Sequence, residues 1–183
     1  MRDETKMREK MKKTLVSSLC VLLGACSSMA PIPTVKEVKL NQFMGDWYVI
    51  ACIPTFIEKG VHNGIESYAL AADGRINTTF TFNQGSFDGE LKRYQPTGFV
   101  VPNTGNAVWG MQFVWPIKAE YRIVYLDEGY QTTIIARNAR DYVWLMSRQA
   151  NMSDQAYQGY VAQIQTMGYD VSKLVRIPHQ LKK

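Results

Sequence analysis

The sequence predicts an all-β protein, an eight-stranded antiparallel up-and-down barrel with one C-terminal α-helix packed on its outside. Eight short runs rich in aromatic and β-branched residues recur about every ten residues, and turn residues separate them. The connections from the fifth run onward are short, which favours antiparallel neighbours over long crossovers. A single apolar pattern with helical spacing follows the last run. These observations favour a closed barrel over a sandwich.

The predicted strands lie at about 46–53, 63–72, 75–83, 87–95, 106–115, 119–127, 130–138 and 141–148. At the start of the first strand, Gly45 precedes Trp47 by two residues. This spacing is typical of a sharp turn followed by a large side chain that plugs one end of a closed β-structure. Asp73 and Gly74, between the second and third runs, predict a two-residue hairpin turn.

The predicted helix begins after Ser153, a good N-cap, and ends before Gly168. Asp154 in its first turn suits the positive end of the helix dipole. Apolar residues recur every three or four positions and predict one buried stripe: Tyr157, Tyr160, Val161, Ile164 and Met167. A last extended segment is predicted around Val171, Leu174, Val175 and Ile177.

The N-terminus has the features of a secretory signal, because Lys12 and Lys13 precede an apolar run that ends at Gly24 and Ala25. This run is shorter than the roughly 20 apolar residues of a membrane-spanning helix. The sequence around Cys26 resembles the lipobox of bacterial lipoproteins, in which the cysteine is acylated; the alternative is an ordinary signal peptide. We therefore expect a signal peptide at 1–25, an acylated tether and N-terminal segment at 26–40, and the barrel with its helix at 41–183. The tether itself is expected to be polar and to reach Thr34.

Charge argues against a nucleic-acid partner. The whole chain carries a formal charge of +5, but +3 of it lies in residues 1–25, so the mature chain carries only +2. A nucleic-acid binder would be expected to keep a basic face with aromatic residues on it.

Of the three cysteines, Cys20 leaves with the signal and Cys26 carries lipid, so Cys52 has no partner for an internal disulfide.

Three stretches on this strand pattern resemble the lipocalin family: GDWY at 45–48, DEGY at 127–130 and DYVWLMSR at 141–148. The resemblance covers about 42–176 and is greatest to the bacterial outer-membrane lipoprotein lipocalins, which are akin to apolipoprotein D. It implies a barrel that holds a fatty acid or a lysophospholipid. It also implies that Trp47 and Arg148 form a structural pair at the closed end, where the guanidinium lies over the indole.

The resemblance of the sequence around Cys26 to a lipobox implies a location. Ser27 stands where lipoproteins kept in the inner membrane carry Asp, so the chain is expected in the outer membrane, anchored by acyl chains on Cys26 and facing the periplasm. Relatives also suggest a homodimer. Three residues depart from the family pattern, since Cys52 replaces an Arg, Glu66 a small residue and Trp115 a Gly. The ligand therefore need not be the family's usual one.

Alternation along the strands gives the candidate ligand-lining residues: Val49, Ala51, Glu66, Tyr68, Leu70, Met111, Phe113, Tyr121, Ile123 and Tyr125. The alternative for each is packing beneath the helix, because a register shift of one residue moves a side chain to the other face. If Glu66 faces the interior, it places a carboxyl group in an apolar pocket, where its pKa should rise.

We expect no catalytic residues, no metal and no cofactor. The chain has only His62 and His179, without a metal-ligand spacing or a serine-centred elbow.

The leading hypothesis is a membrane-anchored lipocalin that binds and stores or transports a fatty acid or lysophospholipid. One alternative is a lipid-modifying enzyme that uses Cys52 with His62 as a thiolate pair. The other is an envelope interaction module whose barrel is filled by its own side chains.

Overall fold

The computed structural model describes residues 29–180, which contain ten strands and two α-helices. The strands are β1 (Gly45–Cys52), β2 (Val61–Leu70), β3 (Ile76–Gln84), β4 (Leu91–Tyr94), β5 (Thr97–Val100), β6 (Val108–Val114), β7 (Ile117–Leu126), β8 (Thr132–Ala136), β9 (Val143–Ser147) and β10 (Val175–Arg176). The helices are α1 (Leu40–Phe43) and α2 (Asp154–Thr166), and a 3-10 turn covers Val171–Lys173.

The strands form one closed antiparallel barrel. Each strand pairs with the next around the sheet, and β9 pairs with β1 to close it. β4 and β5 both pair with β3 and together form one interrupted strand of the barrel. The barrel therefore has eight strands, as predicted. The fourth predicted run, 87–95, is misplaced, because the strand begins at Leu91 and is interrupted before Thr97. Pro96 lies at the interruption, where it cannot donate a backbone hydrogen bond.

The hairpin between β2 and β3 differs from the predicted two-residue turn. Ala71 N donates to Arg75 O at 2.8 Å, which leaves a three-residue loop, 72–74. Gly74 closes this loop with a φ of +81°. A type I turn followed by a left-handed residue is the usual geometry of such loops, and glycine adopts that conformation without strain.

α2 lies against the outside of the barrel, as predicted. Ser153 is its N-cap, and its Oγ accepts from Ala156 N at 3.3 Å. Ile164 is fully buried in an outer apolar cluster with Ile50, Ile134 and Leu145 from the barrel wall. Only two residues of the predicted last segment form a strand, β10, which pairs with the end of β1. No helix among residues 29–180 is long and apolar enough to cross a membrane.

The segment that precedes α1 packs on the barrel. Ile32 and Val38 are 2% and 0% exposed. Val35 N donates to Ile123 O at 3.0 Å, and Val38 N donates to Gly105 O at 2.7 Å. The expectation of a polar tether as far as Thr34 is therefore wrong, because Ile32 already belongs to the folded domain. The signal peptide and Cys26 lie outside the described residues.

Arg148 and Trp47 close one end of the barrel. The guanidinium carbon lies 3.8 Å from the centre of the fully buried indole ring. Arg148 also donates to backbone oxygens of the segment that crosses this end: to Asp46 O at 2.7 Å, Gln42 O at 3.0 Å, Phe43 O at 3.0 Å and Met44 O at 2.8 Å. Arg148 thus supplies hydrogen bonds to four backbone carbonyl groups where the chain enters the barrel, one of which, Phe43 O, also accepts from Trp47 Nε1.

We expect Arg148→Ala to lower the free energy of unfolding by about 3 kcal/mol, because it removes the cation–π contact and the hydrogen bonds that the guanidinium donates to four carbonyl groups. Urea titration followed by tryptophan fluorescence measures this change. Arg93→Ala is the matched control, since Arg93 is exposed on β4. It should change stability by less than about 0.5 kcal/mol. Equal stability of the two variants would show that Arg148 does not hold the closed end together.

Candidate ligand-binding cavity

A cavity of about 620 Å³ occupies the barrel above the closed end. Successive strands run in opposite directions, so the loops that follow β1, β6 and β8 lie at the end opposite Arg148. Lining residues occur at each of these three places: Phe56 in the loop after β1, Val114 at the end of β6 and Arg137 directly after β8. The cavity therefore opens at that end, and its volume falls in the range of about 300–1,000 Å³ typical of small-molecule sites.

The structure places half of the predicted lining residues in the cavity wall: Glu66, Tyr68, Met111, Phe113 and Tyr121. Val49 and Ile123 face the interior but are fully buried in the packed core, away from the cavity lining. Leu70 is 40% exposed at the last position of β2. These three residues are correctly assigned to strands, but they lie outside the hollow part of the barrel.

Ala51 and Tyr125 lie on the outer face, in the cluster beneath α2, so their predicted placement is wrong. The cause is the same in both strands. The pairing of β1 with β9 shifts between Val49 and Ala51, and the pairing of β7 with β8 shifts between Ile123 and Tyr125. Each β-bulge adds one residue and reverses the alternation beyond it.

Glu66 lies at the level of the indole of Trp47, its pairing partner across β1 and β2. Nearby, the hydroxyl groups of Tyr68 and Tyr121 share a hydrogen bond of 2.8 Å. Burial raises the pKa of the Glu66 carboxyl to about 8, and the charge of Glu58 contributes, while a hydrogen bond from Tyr68 works in the opposite direction. Burial also holds the pKa of both tyrosines well above 10. The inner part of the cavity is therefore polar but uncharged near neutral pH.

A second carboxylate, Glu58, comes from the loop between β1 and β2 and also lines the cavity. It is 5% exposed. Its oxygens accept from Trp144 Nε1 at 2.6 Å and from Thr55 N at 2.8 Å. The sequence did not predict Glu58 as a lining residue. Glu58 lies in a loop, where side chains do not alternate between the interior and the exterior as they do along a strand. Its hydrogen-bond donor, the indole of Trp144 on β9, is close to Glu58 only in the folded protein, because the two residues are 86 positions apart in the chain.

Arg137 and Thr55 bring unused polar atoms to the cavity wall. Arg137 Nη1 pairs with Asp141 Oδ2 at 3.1 Å. Its Nε, however, is buried without a hydrogen-bond partner within residues 29–180, and so is Thr55 Oγ1. Buried polar atoms are normally satisfied, so these two atoms indicate a place where a polar group of a ligand can bind.

Exposed apolar side chains surround the mouth. Phe56 is 86% exposed, and at the β6–β7 tip Trp115 is 81% and Ile117 70% exposed. Phe113 and Val114 continue this surface on β6. Trp115 is one of the residues that depart from the lipocalin pattern. We call these five residues the apolar rim.

The cysteine is not in the cavity wall. Cys52 is buried in the inner core cluster, and burial raises the pKa of its thiol far above the usual range. His62 has different surroundings, because its Nδ1 lies 3.1 Å from Gly60 O and its ring packs edge-on against Phe87. A reactive thiol needs the opposite shift in pKa. Within the described part of the chain, no group of three potential ligands could hold a metal ion.

Comparison with known proteins agrees with this architecture. The family model of the lipocalin-like domain matches residues 38–179. The outer membrane lipoprotein Blc of Citrobacter freundii is 28% identical over 160 residues, which cover 84% of this chain and 88% of that protein. Apolipoprotein D of Bos taurus is 29% identical over 149 residues, which cover 73% of this chain and 77% of that protein.

The solved structure of insecticyanin from the tobacco hornworm Manduca sexta is similar with a TM-score of 0.64, over 84% of this chain and 86% of that one. At 14% identity, this likeness shows the fold alone. The family model, in contrast, covers most of the chain and confirms the resemblance inferred from residues 45–48, 127–130 and 141–148. This chain belongs to the lipocalin-like family.

Proposed function

We propose that this protein binds a hydrophobic ligand inside its barrel and stores or carries it in the bacterial envelope. The observation that carries the proposal is the cavity of about 620 Å³, whose wall is mainly apolar. Burial of a ligand's hydrocarbon surface there contributes about 25 cal/mol per Å². A few polar groups at fixed positions then orient the ligand.

Fatty acids and lysophospholipids are the ligands we consider first. An acyl chain fits the apolar wall around Phe80, Met111 and Ile135. A head group at the mouth would meet the unpartnered Nε of Arg137 and the hydroxyl of Thr55.

The proposed location is the outer membrane, with the barrel anchored through acyl chains on Cys26 and facing the periplasm. Two acyl chains are enough for stable anchoring. The relatives from Citrobacter freundii, Escherichia coli and Vibrio cholerae are named outer membrane lipoproteins, which supports this location. An anchored barrel would remain close to membrane lipid, from which it could take up a ligand.

The two alternatives have less support. A lipid-modifying enzyme based on Cys52 requires an accessible thiolate, and the buried thiol has a raised pKa. An interaction module with a filled barrel is difficult to reconcile with the open cavity.

Uptake of an acyl ligand tests the proposal. A chain that starts at Ser27 contains every element described above and should bind a fluorescent fatty-acid probe. Ala119→Phe should weaken binding at least tenfold, because Ala119 lines the cavity beside its pairing partner Met111 and the added ring takes up cavity space. Ala162→Phe, on the exposed side of α2, is the matched control and should bind normally. Failure of the unmodified chain to bind any acyl probe would rule out the proposed function.

The apolar rim should control the rate of uptake from membranes. In stopped-flow transfer of a fluorescent fatty acid from vesicles, Phe56→Ser combined with Trp115→Ser should slow transfer several-fold and leave equilibrium affinity unchanged. Val175→Ser, at an exposed apolar position on β10, should have no effect. An unchanged rate would contradict a role in membrane contact. Loss of self-association in the double variant would instead identify the rim as a contact between two copies.

Cys52 should resist iodoacetamide near neutral pH. In the chain that starts at Ser27 it is the only cysteine, so labelling followed by mass spectrometry is unambiguous. We expect labelling only after unfolding in urea, because the folded protein buries the thiol. Rapid labelling of the folded protein would restore the enzyme hypothesis.

A further inference from the structure

We propose that the cavity selects hydrophobic amines, and that Glu66 and Glu58 form the site that receives their protonated nitrogen. The inference rests on the proposed function and narrows the class of ligand for the same cavity. A fatty acid lacks the required cation, whereas an amphiphile with an amino group carries it.

The first support is that two carboxyl groups from separate elements line the same cavity. Glu66 projects from β2, and Glu58 from the loop between β1 and β2; both line the same cavity. They are close enough for the charge of Glu58 to disfavour ionisation of Glu66. Glu58 is fixed by Trp144 Nε1 and Thr55 N, both of which donate to it. The Glu58 carboxyl group is thus held in place before any ligand arrives, which lowers the cost of binding a cation.

The second support is the shortage of positive charge around Glu66. Its polar neighbours are Tyr68 on the same strand, Tyr121 on β7 and Glu58. Arg148 is the cation of the closed end, but its donors are directed at backbone oxygens. No described residue therefore neutralises Glu66 by a salt bridge.

The remaining charged groups of the cavity wall already take part in ion pairs. Glu120 accepts from Asn138 N at 2.7 Å and from Asn138 Nδ2 at 2.8 Å, and it pairs with Arg122 at 3.2 Å. Arg137, near the mouth, is paired with Asp141. Among the described lining residues, three carboxyl groups thus accompany a single guanidinium. An ammonium inside this cavity is attracted, while a carboxylate placed near Glu66 is repelled.

The affinity of the cavity for an amine should depend on pH, because Glu66 gains or loses a proton. With a pKa of about 8, the free carboxyl is mostly protonated at neutral pH. An ammonium nearby favours the ionised form, so binding should release a proton below pH 8. Affinity for an amine should therefore rise with pH until Glu66 is ionised in the free protein. Affinity for a carboxylate should fall over the same range.

The test compares ligands that share one chain length: dodecylamine, dodecanol and dodecanoate, each displacing the fluorescent probe from the chain that starts at Ser27. The amine stays protonated at pH 6 and pH 9, because alkylammonium groups such as that of Lys titrate near about 10.4. At pH 9 we expect the amine to bind at least tenfold more tightly than the other two. Its affinity should rise tenfold or more between pH 6 and pH 9. Calorimetry in buffers of different ionisation enthalpy should detect proton release at pH 7.

Glu66→Gln should abolish the preference for the amine, the pH dependence and the proton release, yet keep affinity for dodecanol. Glu90→Gln is the control of equal charge change, since Glu90 is exposed and pairs with Lys92 at 2.7 Å. It should behave like the unmodified protein. If Glu66→Gln does not fold, the pH profile and proton release of the unmodified protein still decide the question.

The inference is overturned if the three ligands bind equally, if dodecanol matches the amine, or if dodecanoate is preferred at pH 9. The proposed function survives each of those outcomes, because an apolar ligand still binds. If neither the probe nor any of the three ligands binds, both proposals fail.

Discussion

The contact between the Arg148 guanidinium and the Trp47 indole is the constraint on which the rest of this barrel depends. It joins the start of β1, the end of β9 and the backbone around α1 through one cation. A closed sheet has no free edge, but its ends must still be sealed. Because this end is sealed by a fixed, fully occupied group, the interior can remain hollow at the other end, where the loops are free to vary.

The interior is divided between packing and space. Near the closed end, Phe43, Trp47, Trp109 and Tyr121 form a continuous aromatic cluster with ring centroids 5.0 to 5.4 Å apart. Such contacts contribute beyond simple burial of area. Towards the mouth the barrel encloses the cavity, whose mainly apolar wall a ligand can cover. Stability is thus concentrated at one end and binding at the other.

The sequence predicted the strand order and the helix with its N-cap, because alternation and capping are local signals. The pairing of Trp47 with Arg148 was expected from the resemblance to lipocalins. The sequence did not predict the bulges, which depend on cross-strand pairing and move Ala51 and Tyr125 to the outer face. It also missed Glu58, whose position is fixed by Trp144, 86 residues away along the chain. The shape of the cavity therefore depends on long-range register, while the barrel itself follows from local patterns.

Glu66 is the residue whose presence packing explains least. Its pKa of about 8 lies above the value near 4.3 expected in the unfolded chain, so the folded state holds the proton more tightly. Its contribution to the free energy of unfolding is therefore most favourable below about pH 4, falls as the pH rises towards 8, and then levels off. A neutral side chain would avoid this loss. A bound cation would offset it by stabilising the ionised carboxylate, so the same side chain that weakens the empty barrel would strengthen the occupied one.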